Sequence, residues 1–199
     1  VADPVVLVDL DGTLTRTELL PTIARSAGIE EEITRLTDDT LAGRIPFAES
    51  FRSRVAMLSQ VPVEVVHEAI LGAPVFEELM ALLMEHPERV TVVTGNLDIW
   101  VQPFLDRHGL QGMTSRATVL EGGGIGVGSI LNKAEAIRRH QGRFRIALGD
   151  GANDAAMVRA AEVGIAWCGV HPAADSLMEV AGYAFKNESM LCRFLRRWW

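Results

Sequence analysis

The stretch Val5-Val6-Leu7-Val8-Asp9-Leu10-Asp11-Gly12-Thr13 decides the fold. Its first four residues form an unbroken apolar run rich in β-branched valine, the pattern of a strand buried on both faces in a parallel sheet. The run then breaks into two carboxylates and a glycine turn. The same pattern recurs downstream. Arg89-Val90-Thr91-Val92-Val93 runs into Thr94-Gly95-Asn96, and Phe144-Arg145-Ile146-Ala147-Leu148 runs into Gly149-Asp150-Gly151. Val163-Gly164-Ile165-Ala166-Trp167 runs into Cys168-Gly169, and Tyr183-Ala184-Phe185 reads as a further strand at an edge. Helix-period segments lie between them, at about 75–86, 97–108, 132–141, 153–161 and 172–181. This alternation predicts an α/β fold built on a doubly wound parallel sheet. Such sheets bind ligands beyond the carboxyl ends of their strands, which is where the polar clusters fall.

One stretch interrupts the alternation. From Thr15 to Ala73 there is no strand pattern, only amphipathic helical segments at Leu19–Ala27, Glu30–Ala42, Phe47–Leu58 and Val63–Leu71. Pro46 and Pro62 read as first-turn prolines of the last two. The expected organisation is a core domain of residues 1–14 and 74–199, with a small helical cap domain, residues 15–73, inserted after the first strand. Thr118–Glu121 and Ile125–Leu131, around a run of glycines, predict a small β-hairpin.

The composition is that of a globular chain: 199 residues, 48% hydrophobic and 23% charged, with a formal charge of −7. A net-acidic protein gains nothing from the field of a polyanion, so neither nucleic acid nor an anionic membrane is an expected partner. No apolar run approaches the roughly 20 residues that span a bilayer. Val1-Ala2-Asp3-Pro4 carries no basic or apolar region of a secretory leader. Cys168 and Cys192 make neither a disulfide framework nor a zinc spacing. Together these features predict a cytoplasmic protein, monomer or homodimer. The basic residues are seventeen arginines and only two lysines, Lys133 and Lys186.

The chemistry-bearing residues are individually ambiguous. Asp9 and Asp11 can be an acidic turn, or a pair that holds a divalent cation and divides nucleophile and acid/base roles. Asp150, Asn153 and Asp154 can be a capped glycine turn, or a metal ligand with a supporting carboxylate. Thr94, Gly95 and Asn96, ahead of a helix, offer a hydroxyl and backbone N–H groups to an anion. Lys133 opens the helix after the hairpin, where a cation opposes the helix dipole, and its ammonium suits a phosphate oxygen. In combination they are the components of Mg²⁺-dependent phosphoryl transfer through an aspartyl-phosphate.

Asp9-Leu-Asp-Gly-Thr-Leu-Thr, Thr94-Gly-Asn, Lys133 and Gly149-Asp-Gly-Ala-Asn-Asp resemble the four ordered motifs of the haloacid dehalogenase superfamily of phosphatases, over essentially the whole chain. The helical insertion is similar to the cap of its phosphoserine phosphatase branch. The resemblance implies a phosphomonoester hydrolase with Asp9 as nucleophile and Asp11 as acid and base. It also implies Mg²⁺ on Asp9, Asp11, Asp150 and Asp154, with phosphate contacts from Thr94, Gly95, Lys133 and Asn153. Glu18, Arg54 and Phe47 match the residues that hold and enclose the amino-acid part of the substrate, so a small phosphorylated metabolite, phosphoserine above all, is the implied partner. Asn96 departs from the Ser-Gly-Gly usual in that branch, and the hairpin is compact relative to the family. Two alternatives remain open: a phosphatase or phosphotransferase for another small metabolite, and a phospho-accepting receiver-type domain, which would lack a cap.

Other features lead elsewhere. Gly122-Gly-Gly-Ile-Gly-Val-Gly fits neither a dinucleotide fingerprint nor a P-loop and reads as a flexible hairpin. Phe194-Leu-Arg-Arg-Trp-Trp reads as part of a packed terminal helix, and His171-Pro172 as a helix start. Neither cysteine has a visible base partner that would make it a nucleophile.

Overall fold

The structure, a computed structural model, describes residues 3–198; Val1 and Ala2, at the predicted leaderless start, and Trp199, at the end of the predicted terminal segment, lie outside the described residues. Among the described residues seven strands form one sheet: β1 (Val5–Val8), β2 (Val90–Leu97), β3 (Gln111–Val119), β4 (Ile125–Ser129), β5 (Arg145–Gly149), β6 (Val163–Trp167) and β7 (Tyr183–Phe185). Their order is β4-β3-β2-β1-β5-β6-β7. All neighbours run parallel except β3 and β4. The chain winds outward from β1 in both directions, which is the doubly wound topology expected from the sequence.

The reading of β1 as buried on both faces has a direct counterpart in the packing. Val6 and Val8 join one apolar cluster, whereas Val5 and Leu7 join the other. The first face is covered by α5 (Glu77–Leu83), α6 (Asp98–His108) and α10 (Glu188–Leu195). The second is covered by α7 (Lys133–Arg138), α8 (Ala155–Ala160) and α9 (Asp175–Met178). Burial at this depth on both faces is the main source of stability, on the order of 2 kcal/mol for each large apolar side chain.

Between β1 and α5 lie four helices: α1 (Leu19–Ser26), α2 (Glu30–Leu41), α3 (Phe47–Leu58) and α4 (Val63–Leu71). The chain leaves the sheet and returns to it at one place, where Thr15 bridges Val75 and the Arg16 N–H donates to Pro74 O at 2.7 Å. Leu20, Ile23, Val55 and Ile70 of these helices continue the apolar cluster of the first sheet face. His67 of α4 meets Ile99 O of α6 at 2.8 Å.

Three expectations need correction. Pro46 and Pro62 are not in the first turn; each precedes its helix, with ψ of 137° and 136°. Proline's fixed φ suits that position, and its missing N–H costs nothing there. The hairpin is part of the main sheet. β3 begins at Gln111, pairs parallel with β2 through Ser115 and turns antiparallel with β4 only beyond it. Its first half carries no apolar run because it lies near the sheet edge with much of it exposed. The segment read as a helix over 172–181 contains only the single turn of α9, which starts at Asp175.

The glycine run is a turn, with Gly122 and Gly123 at positive φ and the Leu120 N–H donating to Gly124 O at 2.7 Å. The terminal segment packs as expected: Leu191 and Leu195 are buried, and Trp198 stacks on Phe144 with ring centroids 4.8 Å apart. Among the described residues no helix is long and apolar enough to cross a membrane.

Candidate active site

The carboxyl ends of β1, β2 and β5 converge, and the predicted motifs converge with them. At the end of β1, Asp9 is buried; its Oδ1 accepts from the Leu10 N–H at 2.8 Å and lies 2.7 Å from Lys133 Nζ. The chain then turns sharply, with Gly12 at φ +67°, where a side chain would strike both Asp150 and Glu18. This turn presents Asp11, whose Oδ1 accepts from the Leu19 N–H at 3.1 Å and whose Oδ2 accepts from Thr94 Oγ1 at 3.3 Å. Asn96 Nδ2 reaches Asp11 Oδ1 at 3.5 Å, while Asn96 Oδ1 accepts from the Leu97 N–H.

At the end of β5, Asp150 Oδ1 accepts from Thr13 Oγ1 at 2.6 Å. Asp154 Oδ2 accepts from the Gly151 N–H at 3.0 Å, and its Oδ1 lies 2.6 Å from Lys133 Nζ. Gly149 is required at this bend, since a Cβ there would lie 2.4 Å from the Asp154 carboxyl carbon. Lys133 is 3% exposed and sits between two carboxylates, which explains its place at a helix start where the dipole disfavours it.

The electrostatics are those of too many acids for one base. Burial, with Asp154 nearby, pushes the Asp9 pKa well above the usual carboxylate range against the pull of Lys133. Burial also raises Asp11, Asp150 and Asp154. It works against the Lys133 charge too, but Asp154 and Asp9 outweigh it and hold the ammonium above its ordinary value. Oxygens of Asp9, Asp150 and Asp154 all lie within 4.8 Å of one another. Three buried carboxylates facing one ammonium fit a hard divalent cation, which takes oxygen ligands and would neutralise the excess.

These residues open onto a cavity of about 210 Å³. Asp9, Asp11, Asp150 and Asn153 line it from the sheet, as do Gly95 and Asn96. Glu18, Phe47 and Arg54 line it from the inserted helices. Thr94, Lys133 and Asp154 stand behind this lining, engaged with the carboxylates. Arg54 is buried; Nη1 donates to Thr37 Oγ1 at 2.9 Å, and burial lowers its pKa against Glu18 and Asp11. The Phe47 ring lies over Gly95 so closely that a Cβ at residue 95 would come within 2.4 Å of it. Gly95→Ala should therefore displace Phe47 and lower kcat/KM about 100-fold, measured by steady-state kinetics on the preferred substrate.

Two contributors were not found by sequence reasoning. Thr13 sits inside the first motif, but nothing local reveals its bond to Asp150. His171 is not a helix start. Its Nε2 lies 2.9 Å from Asp150 Oδ2 and 3.4 Å from Glu18 Oε1, with Nδ1 facing Pro172 O, and these partners push its pKa up to about 11. Its position just past the end of β6 was the available signal.

Fold and site together define a hydrolase class. The chain belongs to the haloacid dehalogenase-like hydrolase family, whose model matches residues 6–159. It is 32% identical over 178 residues to the phosphoserine phosphatase of Methanocaldococcus jannaschii, covering 82% of this chain and 84% of that one. It is 29% identical over 201 residues to the phosphoserine phosphatase of Archaeoglobus fulgidus, covering 94% of this chain and 57% of that protein. Among solved structures, a substrate-bound phosphoserine phosphatase complex superposes with a TM-score of 0.83 at 29% identity, covering 100% of this chain and 99% of that one. A phospho-aspartyl intermediate analogue of phosphoserine phosphatase gives 0.82 at 29% identity, over 98% of each chain.

Proposed function

We propose that the protein is a phosphoserine phosphatase that works through an aspartyl-phosphate on Asp9. The observation that carries this reading is that one cavity is lined both by the buried acids and by Glu18, Phe47 and Arg54 of the inserted segment. Asp9, Asp11 and Asp150 line it with Lys133 behind them, and Arg54 and Glu18 line it from the insertion, the Glu18 carboxylate lying close to Asp150 and His171. Phosphoserine carries a phosphate, a carboxylate and an ammonium, and this lining offers Lys133 with the metal-binding acids, Arg54 and Glu18 as respective partners. The names of the relatives agree with that match.

Asp9 Oδ1 is occupied by the Leu10 N–H and Lys133, which leaves Oδ2 to attack phosphorus. Asp11 gives a proton to the departing serine oxygen and later takes one from the water that hydrolyses the intermediate. Its contacts to the Leu19 N–H and Thr94 hold it in position for both steps. Lys133, Thr94, Gly95 and Asn153 are assigned to the phosphoryl oxygens, with Asn96 beside them. Arg54 takes the substrate carboxylate in a fork geometry and Glu18 its ammonium, and Phe47 encloses them. Mg²⁺ would be held by Asp9, Asp150 and the backbone carbonyl of Asp11, with Asp154 behind, and would supply positive charge against the phosphoryl oxygens.

Residues 15–73 act as a cap and the rest as the core, a division supported by the single crossing at Thr15 and Val75. The same insertion disfavours a receiver-type reading. The proposal places the enzyme in the cytoplasm, in keeping with the free Cys168 and Cys192, as a monomer or homodimer.

Arg54→Ala tests the substrate. Losing charge-assisted bonds to the carboxylate should reduce kcat/KM for phosphoserine by about 100-fold, far more than for p-nitrophenyl phosphate. Equal losses on both would mean that Arg54 does not read an amino acid.

A further inference from the structure

Helix α2 walls the cavity, yet among its twelve residues the buried ones are Ile33 and Thr37. A helix with so little apolar anchorage must be seated by something else. Thr40 Oγ1 meets Ser50 Oγ of α3 at 2.6 Å, and Thr37 Oγ1 accepts from Arg54 Nη1 of α3 at 2.9 Å. Ser50 Oγ also donates to Leu36 O at 3.2 Å, so each of these ties between the helices involves a hydroxyl, and one of them ends on the arginine assigned to the substrate.

The direction of the Thr37 bond is fixed from both sides. Thr37 Oγ1 lies 2.8 Å from Ile33 O, one turn earlier in the same helix, and its proton is donated there. The lone pairs are left for Arg54, whose guanidinium has donors only. Arg54 Nε points back along its own helix to Ser50 O at 3.4 Å. Nη1 and Nε are engaged in this way, which restricts the swing of the planar group in the cavity that Arg54 lines. Arg54 is 4% exposed, so little bulk solvent competes to orient it.

We propose that Thr37 is a positioning residue for substrate selection: its hydroxyl sets the plane of the Arg54 guanidinium so that the fork meets the carboxylate of the bound amino acid. This rests on the assignment of Arg54 above. Thr37 takes no part in phosphoryl transfer, so its removal should appear in substrate binding and not in the chemical step.

The test measures kcat and KM on phosphoserine and on p-nitrophenyl phosphate with Mg²⁺, for wild type, Thr37→Val, Thr37→Ala, Thr37→Ser, Arg54→Ala and Thr37→Val/Arg54→Ala. Loss of one bond to a charged group should raise KM for phosphoserine about tenfold with little change in kcat. Both hydroxyl-free variants should show it, and Thr37→Ala keeps the test available should valine disturb the helix. Thr37→Ser should restore the wild-type KM, and Thr37→Val should add nothing once Arg54 is absent. The proposal is overturned if the hydroxyl-free variants keep the wild-type KM for phosphoserine. It is equally overturned if they lose both substrates alike without rescue by serine, which would mark a structural role. Should the wild type show no preference for phosphoserine and Arg54→Ala weaken both substrates equally, the substrate reading itself fails and this proposal falls with it.

Discussion

Asp9→Asn should give a folded protein that has lost turnover by on the order of 10⁵-fold, because the proposed nucleophile is replaced by an amide that cannot form the acyl-phosphate. The expectation for stability is less obvious and more telling. Asp9 is buried, and burial, Asp154, Asp150 and Asp11 all disfavour its charge, against the pull of Lys133. Asparagine keeps the shape and removes the surplus charge, and Lys133 retains Asp154 as a partner at 2.6 Å. In EDTA the variant should therefore melt at or above the wild-type temperature. Adding Mg²⁺ should raise the wild-type melting temperature more than that of the variant, since a ligand that binds only the folded state stabilises it in proportion to its affinity. Substantial residual activity would remove Asp9 from its role. A large loss of stability in EDTA would contradict the reading of the cluster as over-charged.

The sequence was legible where one residue's neighbours along the chain decide its environment. Val5–Val8 announces a strand buried on both faces because four apolar residues in a row have no solvent face to offer. The first half of β3 was not legible, since Gln111-Gly112-Met113-Thr114-Ser115 is an edge segment whose place is set by hydrogen bonds to β2 and not by burial. The candidate site divides in the same way. Asp9, Asp11 and Asp150 stand out because charges at the ends of buried strands need an explanation, and Lys133 because it is one of two lysines among seventeen arginines and opens a helix. Thr13, Thr37 and His171 do not stand out, as each is ordinary in its own segment. Their partners, Asp150 for two of them and Arg54 for the third, lie 137, 21 or 17 residues away or more simply on other elements that only the fold brings near. Even Lys133 was only half read: its suitability for phosphate was visible, but not its clamp on two aspartates.

Lys133→Met should behave in the opposite way to Asp9→Asn, and the contrast tests the electrostatic account of the site. Methionine fills a similar volume without charge, leaving Asp9 and Asp154 buried side by side with no cation between them. Stranding a buried charge costs about 3–5 kcal/mol, and for a domain of this size each kcal/mol lowers the melting temperature by about 2–4 °C. A fall of roughly 10 °C or more in EDTA is expected. The loss also has a pH signature. Lys133 lowers the pKa of both acids, so its removal raises their folded-state values further above the unfolded value. An acid whose folded pKa is raised destabilises the fold once pH exceeds the unfolded pKa. The deficit relative to wild type should therefore grow as pH rises through the raised folded-state pKa values of the two acids, and shrink on acidification, where both carboxylates are protonated in both proteins. Mg²⁺ should restore part of the stability by replacing the missing positive charge. It should not restore activity, expected to fall about 10³-fold, because the ammonium assigned to the phosphoryl oxygens is gone. Thermal melts from pH 4 to 8, with and without Mg²⁺, measure each of these effects. A variant as stable as wild type in EDTA at pH 8 would show that Lys133 does not offset the buried acids.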